Sequence, residues 1–267
     1  MDLELSGKRA LVTGSTTGIG EAIARVLALE GASVAVHGRD DRRGHRLADE
    51  LQQKGHRAVF VKADLSVADD VVRLADQARA ALGGIEILVN NAAIYPQHTW
   101  FEGSPEDWGR LYAVNVVPVV QLIQLLVPEM KRAGWGRVIQ ISSGVASKPF
   151  AHMPAYSASK AAVNNATASL CLALAGSGVT VNAISAGLIR TAEIERWFYA
   201  EAKARGWSDD WNQIERNILK DYLPVPVGHI GAPEDIARLA AFLASPQASY
   251  INGAIVRVDG GSNCWAG

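Results

Sequence analysis

The sequence predicts a doubly wound α/β domain with a parallel sheet and helices on both faces, on three observations. Short apolar runs rich in β-branched residues alternate with longer amphipathic stretches along the chain. The first run passes into a glycine cluster, Thr13-Gly14-Ser15-Thr16-Thr17-Gly18-Ile19-Gly20, that opens a helical pattern. No repeat or linker splits the alternation, so residues 1–267 read as one domain, long enough for a substantial core.

Arg9 to Thr13 is the first strand, apolar enough to be buried on both faces. In the helix after the glycines, Ile23, Val26 and Leu27 point inward. Glycines between a strand and a helix let the backbone approach a pyrophosphate, whose charge the helix N-terminus stabilises. Here the spacing is G-x-x-x-G-x-G, unlike the common G-x-G-x-x-G. Ser33 to His37 is the second strand. A carboxylate for the adenine ribose is expected about 20 positions past the turn, where this chain has Gly38 followed by Arg39. A guanidinium in place of a carboxylate suits a 2′-phosphate, although Asp40 could neutralise it. This favours NADP(H), with NAD(H) possible.

Asp41 to Lys54 is a charged helix, and Arg57 to Val61 is the third strand. Asp64 and Leu65 lie just beyond it, where a carboxylate could bind an adenine amino group or cap the helix Val67 to Leu82. Ile85 to Val89 is the fourth strand and ends at Asn90-Asn91-Ala92-Ala93, small residues beside asparagines that can order the strand ends. Ser104-Pro105-Glu106-Asp107 starts a helix that runs towards Met130. Asn115 lies within it, and so deep a polar group needs a partner. Arg137 to Ile141 is the fifth strand, ending at Ser142-Ser143.

Tyr156-Ser157-Ala158-Ser159-Lys160 begins the next helix. A helix turns once in about 3.6 residues, so Tyr156 and Lys160 share a face. An ammonium there is expected to lower the tyrosine pKa from roughly 10 towards the working range. The sixth strand, Val179 to Ile184, ends at Ser185-Ala186-Gly187. Residues 188–228 then break the alternation, mixing Trp197, Phe198, Tyr199, Trp207, Trp211 and Tyr222 with carboxylates and lysine. A core helix would carry fewer charges and a linker fewer aromatics. Residues 188–226 therefore read as a mobile substrate lid, an amphipathic helix pair over a bulky, largely apolar ketone. Pro233 opens a last helix, and Ala254 to Val258 is the last strand.

A net charge of −1 argues against nucleic acid or an anionic membrane as partner. Cys171 and Cys264 lack ligand-like neighbours, so no metal site is expected. The N-terminus has no signal-like apolar region, and Asn115, Pro118, Gln121 and Gln124 interrupt the most apolar run. A soluble, cytoplasmic protein is expected.

Together these motifs resemble the short-chain dehydrogenase/reductase family over essentially the whole chain. The carriers are TGSTTGIG at 13–20, Asp64, NNAA at 90–93, Asn115, Ser143, YSASK at 156–160, Ala186-Gly187 with Thr191, and INGAIVRVDGG at 251–261. The resemblance implies a seven-stranded sheet in the order 3-2-1-4-5-6-7 and hydride transfer between a nicotinamide and a small-molecule ketone or secondary alcohol. It implies Tyr156 as proton donor or acceptor, Lys160 tuning it, Ser143 polarising the carbonyl and Asn115 holding a relay water. The cofactor residues it implies are Gly14, Ser15, Thr17, Gly18, Ile19, Gly20, Arg39, Asp64, Leu65, Asn91, Ala92, Tyr156, Lys160, Gly187, Ile189 and Thr191. Beside Ser143 and Tyr156, the expected substrate contacts are Tyr95, His152, Trp197 and Phe198.

The chain departs from the family pattern at Ala93 (usually Gly), Ala186 (usually Pro) and His229 (frequently Arg), none a catalytic group. A 3-oxoacyl carrier-protein reductase is the nearest alternative activity. A cofactor-sensing regulator is the rival of another class, and retention of all four catalytic positions argues against it. A homotetramer is expected, because the helices 105–131 and 155–176 are apolar on both sides, as at Val116, Val120, Ile123, Leu170 and Leu174.

Overall fold

The computed structural model describes residues 2–221 and 223–264; Tyr222 of the aromatic set lies outside them. The strands are β1 (Arg9–Val12), β2 (Ser33–Gly38), β3 (Ala58–Lys62), β4 (Ile87–Asn90), β5 (Gly136–Ser143), β6 (Val179–Ala186) and β7 (Ile255–Val258). The helices are α1 (Gly18–Leu29), α2 (Asp41–Gln53), α3 (Ala68–Leu82), α4 (Pro105–Asn115), α5 (Val117–Arg132), α6 (Pro154–Ala173), α7 (Ala192–Ala204), α8 (Trp211–Asp221) and α9 (Pro233–Ala244). All seven strands pair in parallel in the order β3-β2-β1-β4-β5-β6-β7. The order reverses between β1 and β4, which opens a crevice at the carboxyl ends of the strands.

Strand alternation divides the core into two layers. Val12, Val34, Val36, Val89 and Ile184 pack against α1, α2 and α9. Leu11, Ala35, Leu88, Val138 and Val181 pack against α3 and α5 on the other face, where α6 also touches β5 and β6. With both faces covered, β2 is buried along its whole length, which explains its unbroken apolar run up to His37.

One long helix from Pro105 to Met130 is not what forms. The chain breaks at Val116 (φ −125°, ψ −54°), giving α4 and α5. Pro118 lacks an amide hydrogen and crowds the carbonyl four residues before it. Pro105–Ala133 is long and apolar enough to cross a membrane by length and composition, yet α5 buries Leu122, Leu126, Val127 and Met130 in the second layer. At the start of α4, Ser104 Oγ accepts from Asp107 N (3.2 Å) and Asp107 Oδ2 accepts from Ser104 N (3.0 Å).

The segment after β6 makes a third, small core: Phe198 and Ala202 of α7 pack on Trp211, Ile214 and Ile218 of α8, with Ile230 beneath. Its base is tied by a bridge between Ile189 and Gly231, with Arg190 N donating to Gly231 O at 2.7 Å.

Candidate active site

A cleft of about 1070 Å³ runs along the carboxyl ends of the strands. At its floor is the turn from β1 to α1, where Gly14 and Gly18 hold φ of +62° and +58°, a region that side chains resist. Asn91 at the end of β4 braces this turn: its Nδ2 donates to Thr13 O (2.9 Å) and Gly14 O (3.1 Å). A Cβ on Gly20 would come within 2.4 Å of that same Nδ2, so the third glycine answers to the brace. Thr17 precedes α1 without a side-chain cap bond, leaving the helix's first amides to whatever enters the cleft. Thr17, Gly18, Ile19, Asn91 and Ala92 line the cleft. Ser15 does not: it is fully buried, and its hydroxyl donates to Val12 O (2.7 Å) and accepts from His37 N (2.9 Å). That expectation is corrected for its side chain.

At the adjoining ends of β2 and β3, Gly38, Arg39, Asp64 and Leu65 line the cleft with Arg43 and Arg46 of α2. A Cβ on Gly38 would meet Thr16 Cγ2 at 2.5 Å, so packing against Thr16 also disfavours a carboxylate here. Asp40 is occupied elsewhere, accepting from Arg43 N (3.1 Å) to cap α2 and pairing with Arg43 Nε (3.4 Å). Arg39 is exposed. Asp64 accepts from Ser66 N (2.9 Å) and Ser66 Oγ (2.7 Å); these bonds, the backbone one foremost, hold its pKa down, and Arg39 adds to the effect. His37, at the penultimate position of β2, is also on the cleft wall. Its signal in the sequence is a histidine that follows the apolar run Val34-Ala35-Val36, one position before the end that lacks a carboxylate.

Further along the sheet, Ser143 at the end of β5 and Tyr156 and Lys160 of α6 line the same cleft. Burial pushes Tyr156 up to about 12, against a hydrogen bond from Ser143 that lowers it. Burial likewise pushes Lys160 down to about 8. The expected lowering of the Tyr156 pKa by Lys160 is not found. Lys160 Nζ donates to Ile141 O at 2.7 Å and lies 5.7 Å from the Tyr156 ring centroid, so it serves first to pin α6 to β5. Ser142 is turned to α6, its hydroxyl donating to Lys160 O at 3.4 Å.

Asn115 is buried but does not line the cleft. Its Oδ1 accepts from Ile94 N (2.8 Å), while Nδ2 donates to Ile94 O (2.8 Å) and Ser159 Oγ (3.2 Å). The side-chain amide thus braces the chain after β4 against α6.

Tyr95, His152 and Trp197 lie on the cleft wall as expected, and Tyr95 meets Tyr156 edge-on at 5.9 Å. Burial raises the Tyr95 pKa, and the Glu193 carboxylate beside it raises it further. Phe198 is a correction: 2% exposed, it fills the α7–α8 core, because successive helix positions face about 100° apart and Trp197 takes the cleft side. The wall also holds Gln97, Lys148, Glu193 and Arg196, so it is more polar than a largely apolar substrate would need. Gly187 leads into this segment with no room for a side chain, since a Cβ would lie 2.6 Å from Asp259 Cα. Ile189 and Thr191 line the cleft, and the Thr191 methyl closes over Gly18.

The left-handed glycines, the uncapped α1 and the adjoining acidic and basic side chains form a cradle that fits a dinucleotide. A family model of short chain dehydrogenases matches residues 8–201. The 3β-hydroxysteroid dehydrogenase 1 of Eggerthella lenta is 37% identical over 266 residues, covering 99% of this chain and 97% of its own. The L-sorbose reductase of Gluconobacter frateurii, solved with NADPH and L-sorbose, superposes with a TM-score of 0.93 at 32% identity and 100% coverage of both chains. A 7α-hydroxysteroid dehydrogenase solved with NADH and 7-oxo-glycochenodeoxycholic acid gives 0.85 at 34% identity, covering 97% of this chain and 96% of that one. Sequence, topology and cleft agree: the chain belongs to the short-chain dehydrogenase/reductase family and is an oxidoreductase fold acting between hydroxyl and keto groups.

Proposed function

We propose that the protein is an NADP(H)-dependent oxidoreductase that interconverts a ketone and a secondary alcohol, with Tyr156 as general acid and base. The observation that carries the reading is the meeting of Ser143, Tyr156 and Lys160 on one cleft wall with the glycine cradle on its floor. Bound in that cradle, the nicotinamide cofactor would supply or accept the hydride. Ser143 orients the carbonyl by hydrogen bonding, and Tyr156 gives its proton to the carbonyl oxygen or takes it from the alcohol. A tyrosine pushed up to about 12 holds that proton at neutral pH, which suits reduction. Lys160 positions α6 through its bond to Ile141 O and, lining the same cleft, would hold the nicotinamide ribose of a bound cofactor.

Relatives divide between NADPH and NADH, so the local chemistry at the end of β2 decides the preference. Gly38 offers no carboxylate to the ribose hydroxyls, and Arg39 stands exposed beside it with Asp40 drawn off to α2. That arrangement favours a 2′-phosphate.

Residues 188–226 act as a substrate lid, and the mixed wall of aromatics and charged groups suits a ketone bearing hydroxyl groups. The chain works as a cytoplasmic homotetramer. The test is a panel of hydroxylated ketones, steroid ketones and 3-oxoacyl thioesters with NADPH and NADH, on wild type and Tyr156→Phe. Wild type should turn over at least one ketone with NADPH, and Tyr156→Phe should lose at least about a hundredfold in kcat while still binding cofactor. Near-normal turnover by Tyr156→Phe would refute the assignment of the acid.

A further inference from the structure

The ring of His37 joins three strand ends. Gly14 N, in the turn after β1, donates to His37 Nδ1 at 3.0 Å, and Nε2 lies 3.2 Å from Ala63 O just past β3. The backbone of the same residue is tied to the same turn: Ser15 N donates to His37 O and His37 N donates to Ser15 Oγ, both at 2.9 Å. The imidazole is 3% exposed and has no carboxylate bonded to it.

A neutral imidazole has one donor and one acceptor nitrogen. Gly14 N–H can only donate, so Nδ1 must accept; the proton therefore sits on Nε2 and is donated to Ala63 O. Gly14 needs such a hold, since it keeps a left-handed φ of +62° at the point where the cradle begins. Asn91 Nδ2 holds the carbonyl of Gly14 at 3.1 Å from the β4 side, and His37 holds its amide from the β2 side. Between them the first glycine of the turn is held at both polar ends. Leucine at 37 would fill similar space and leave the part-buried Gly14 N–H and the buried Ala63 C=O without these partners.

From this we infer that His37 is a positioning residue for cofactor binding: its neutral Nε2–H tautomer sets the glycine turn and ties it to the β3 end of the adenine side. Burial lowers the ring's pKa to about 4; Arg39 lowers it too, whereas the Ala63 hydrogen bond and Asp64 raise it. The ring thus stays neutral at working pH.

The inference uses the dinucleotide reading of the cleft but not the NADP preference. His37 acts on the turn that both cofactors share, so its loss should weaken NADPH and NADH alike, whereas Arg39 should discriminate between them. A wild type that binds NADH more tightly would defeat the preference and leave the role of His37 standing. The experiment measures the Kd of each cofactor by fluorescence for wild type, His37→Leu, His37→Gln and His37→Asn, beside cofactor KM and kcat. The Asn Oδ1 can replace Nδ1 as acceptor; the Gln amide reaches the Nε2 position instead.

His37→Leu and His37→Gln should raise both Kd values about five- to tenfold, with the change in KM and less than threefold in kcat. His37→Asn should stay within threefold of wild type. Should His37→Leu fail to fold, the Gln–Asn contrast decides alone. The inference is overturned if the Leu or Gln variant binds within twofold of wild type, or if Asn loses as much as Gln. Imidazole ¹⁵N shifts give a second readout: a protonated Nε2 and bare Nδ1 support it, and the reverse tautomer overturns it.

Discussion

Lys160 shows how burial and function meet in one side chain. Its ammonium is enclosed, bonded to Ile141 O, and lowered to about 8 from 10.5 by burial. The unfolded chain keeps that proton up to about 10.5, so between these values the unfolded state binds more protons and raising the pH stabilises the fold. Wild type should therefore gain stability relative to Lys160→Met between pH 8 and 10, by an amount on the order of 2 kcal/mol. Urea melts of both proteins at these two pH values check it, and parallel pH dependence would refute it. Arg39 is the other residue with a measurable signature. Arg39→Ala should weaken NADPH about ten- to a hundredfold by removing a charge-assisted contact worth about 1.5–3 kcal/mol, and leave NADH nearly unchanged. A wild type with higher kcat/KM for NADH would sink the preference.

Among elements, α7 and α8 pack in a cluster separate from the two layers on the sheet. They share a core of their own, and Arg190 of the base stacks on Trp211 at 4.1 Å and bonds Glu195 at 2.5 Å. The Ile189–Gly231 bridge marks where the segment leaves the body, so motion should hinge there and at the return after α8. With Trp197 on the cleft side and Phe198 inside the helix pair, Trp197→Ala should change substrate ranking more than NADPH affinity, whereas Phe198→Ala should cost about 3–5 kcal/mol of local packing. Limited proteolysis with and without NADPH plus a substrate analogue tests the lid. Cuts within 188–226 should be suppressed by the ligands, and persistence of those cuts would count against closure.

For the whole molecule, the open question is what covers the outer faces of α5 and α6. Of the residues expected on these faces Val120 is 41% exposed, Val116 is half-buried and Leu174 belongs to the core, while Val117 (56%) and Leu172 (79%), not among them, also face outward. Ile123 and Leu170 are partly buried against that core. The outward apolar residues support the tetramer, because faces of this kind commonly meet a second copy. Light scattering at micromolar concentration should give four times the 28.5 kDa chain mass; a monomeric mass would refute it.

The parallel sheet, its strand order and the placing of Ser143, Tyr156 and Lys160 were legible in the sequence. The parallel sheet and the Tyr–Lys pair rest on local patterns, apolar runs of strand length, glycines at a strand–helix junction and a one-turn spacing, whereas the strand order and the part of Ser143 are what the family resemblance implied. The sequence also exposed the missing carboxylate at Gly38, a matter of residue identity. Where a side chain spends its hydrogen bonds was not legible, because the partners are brought together from distant positions. Asn115 finds Ile94 and Ser159, Lys160 finds Ile141, and His37 finds Gly14 and Ala63. The same holds for Phe198, whose sequence neighbours are cleft-like but whose place inside α7–α8 depends on how two helices pack. Burial, too, belongs to the fold: a turn of helix brings Lys160 near Tyr156, but only the packed cleft makes desolvation the larger influence on both pKa values.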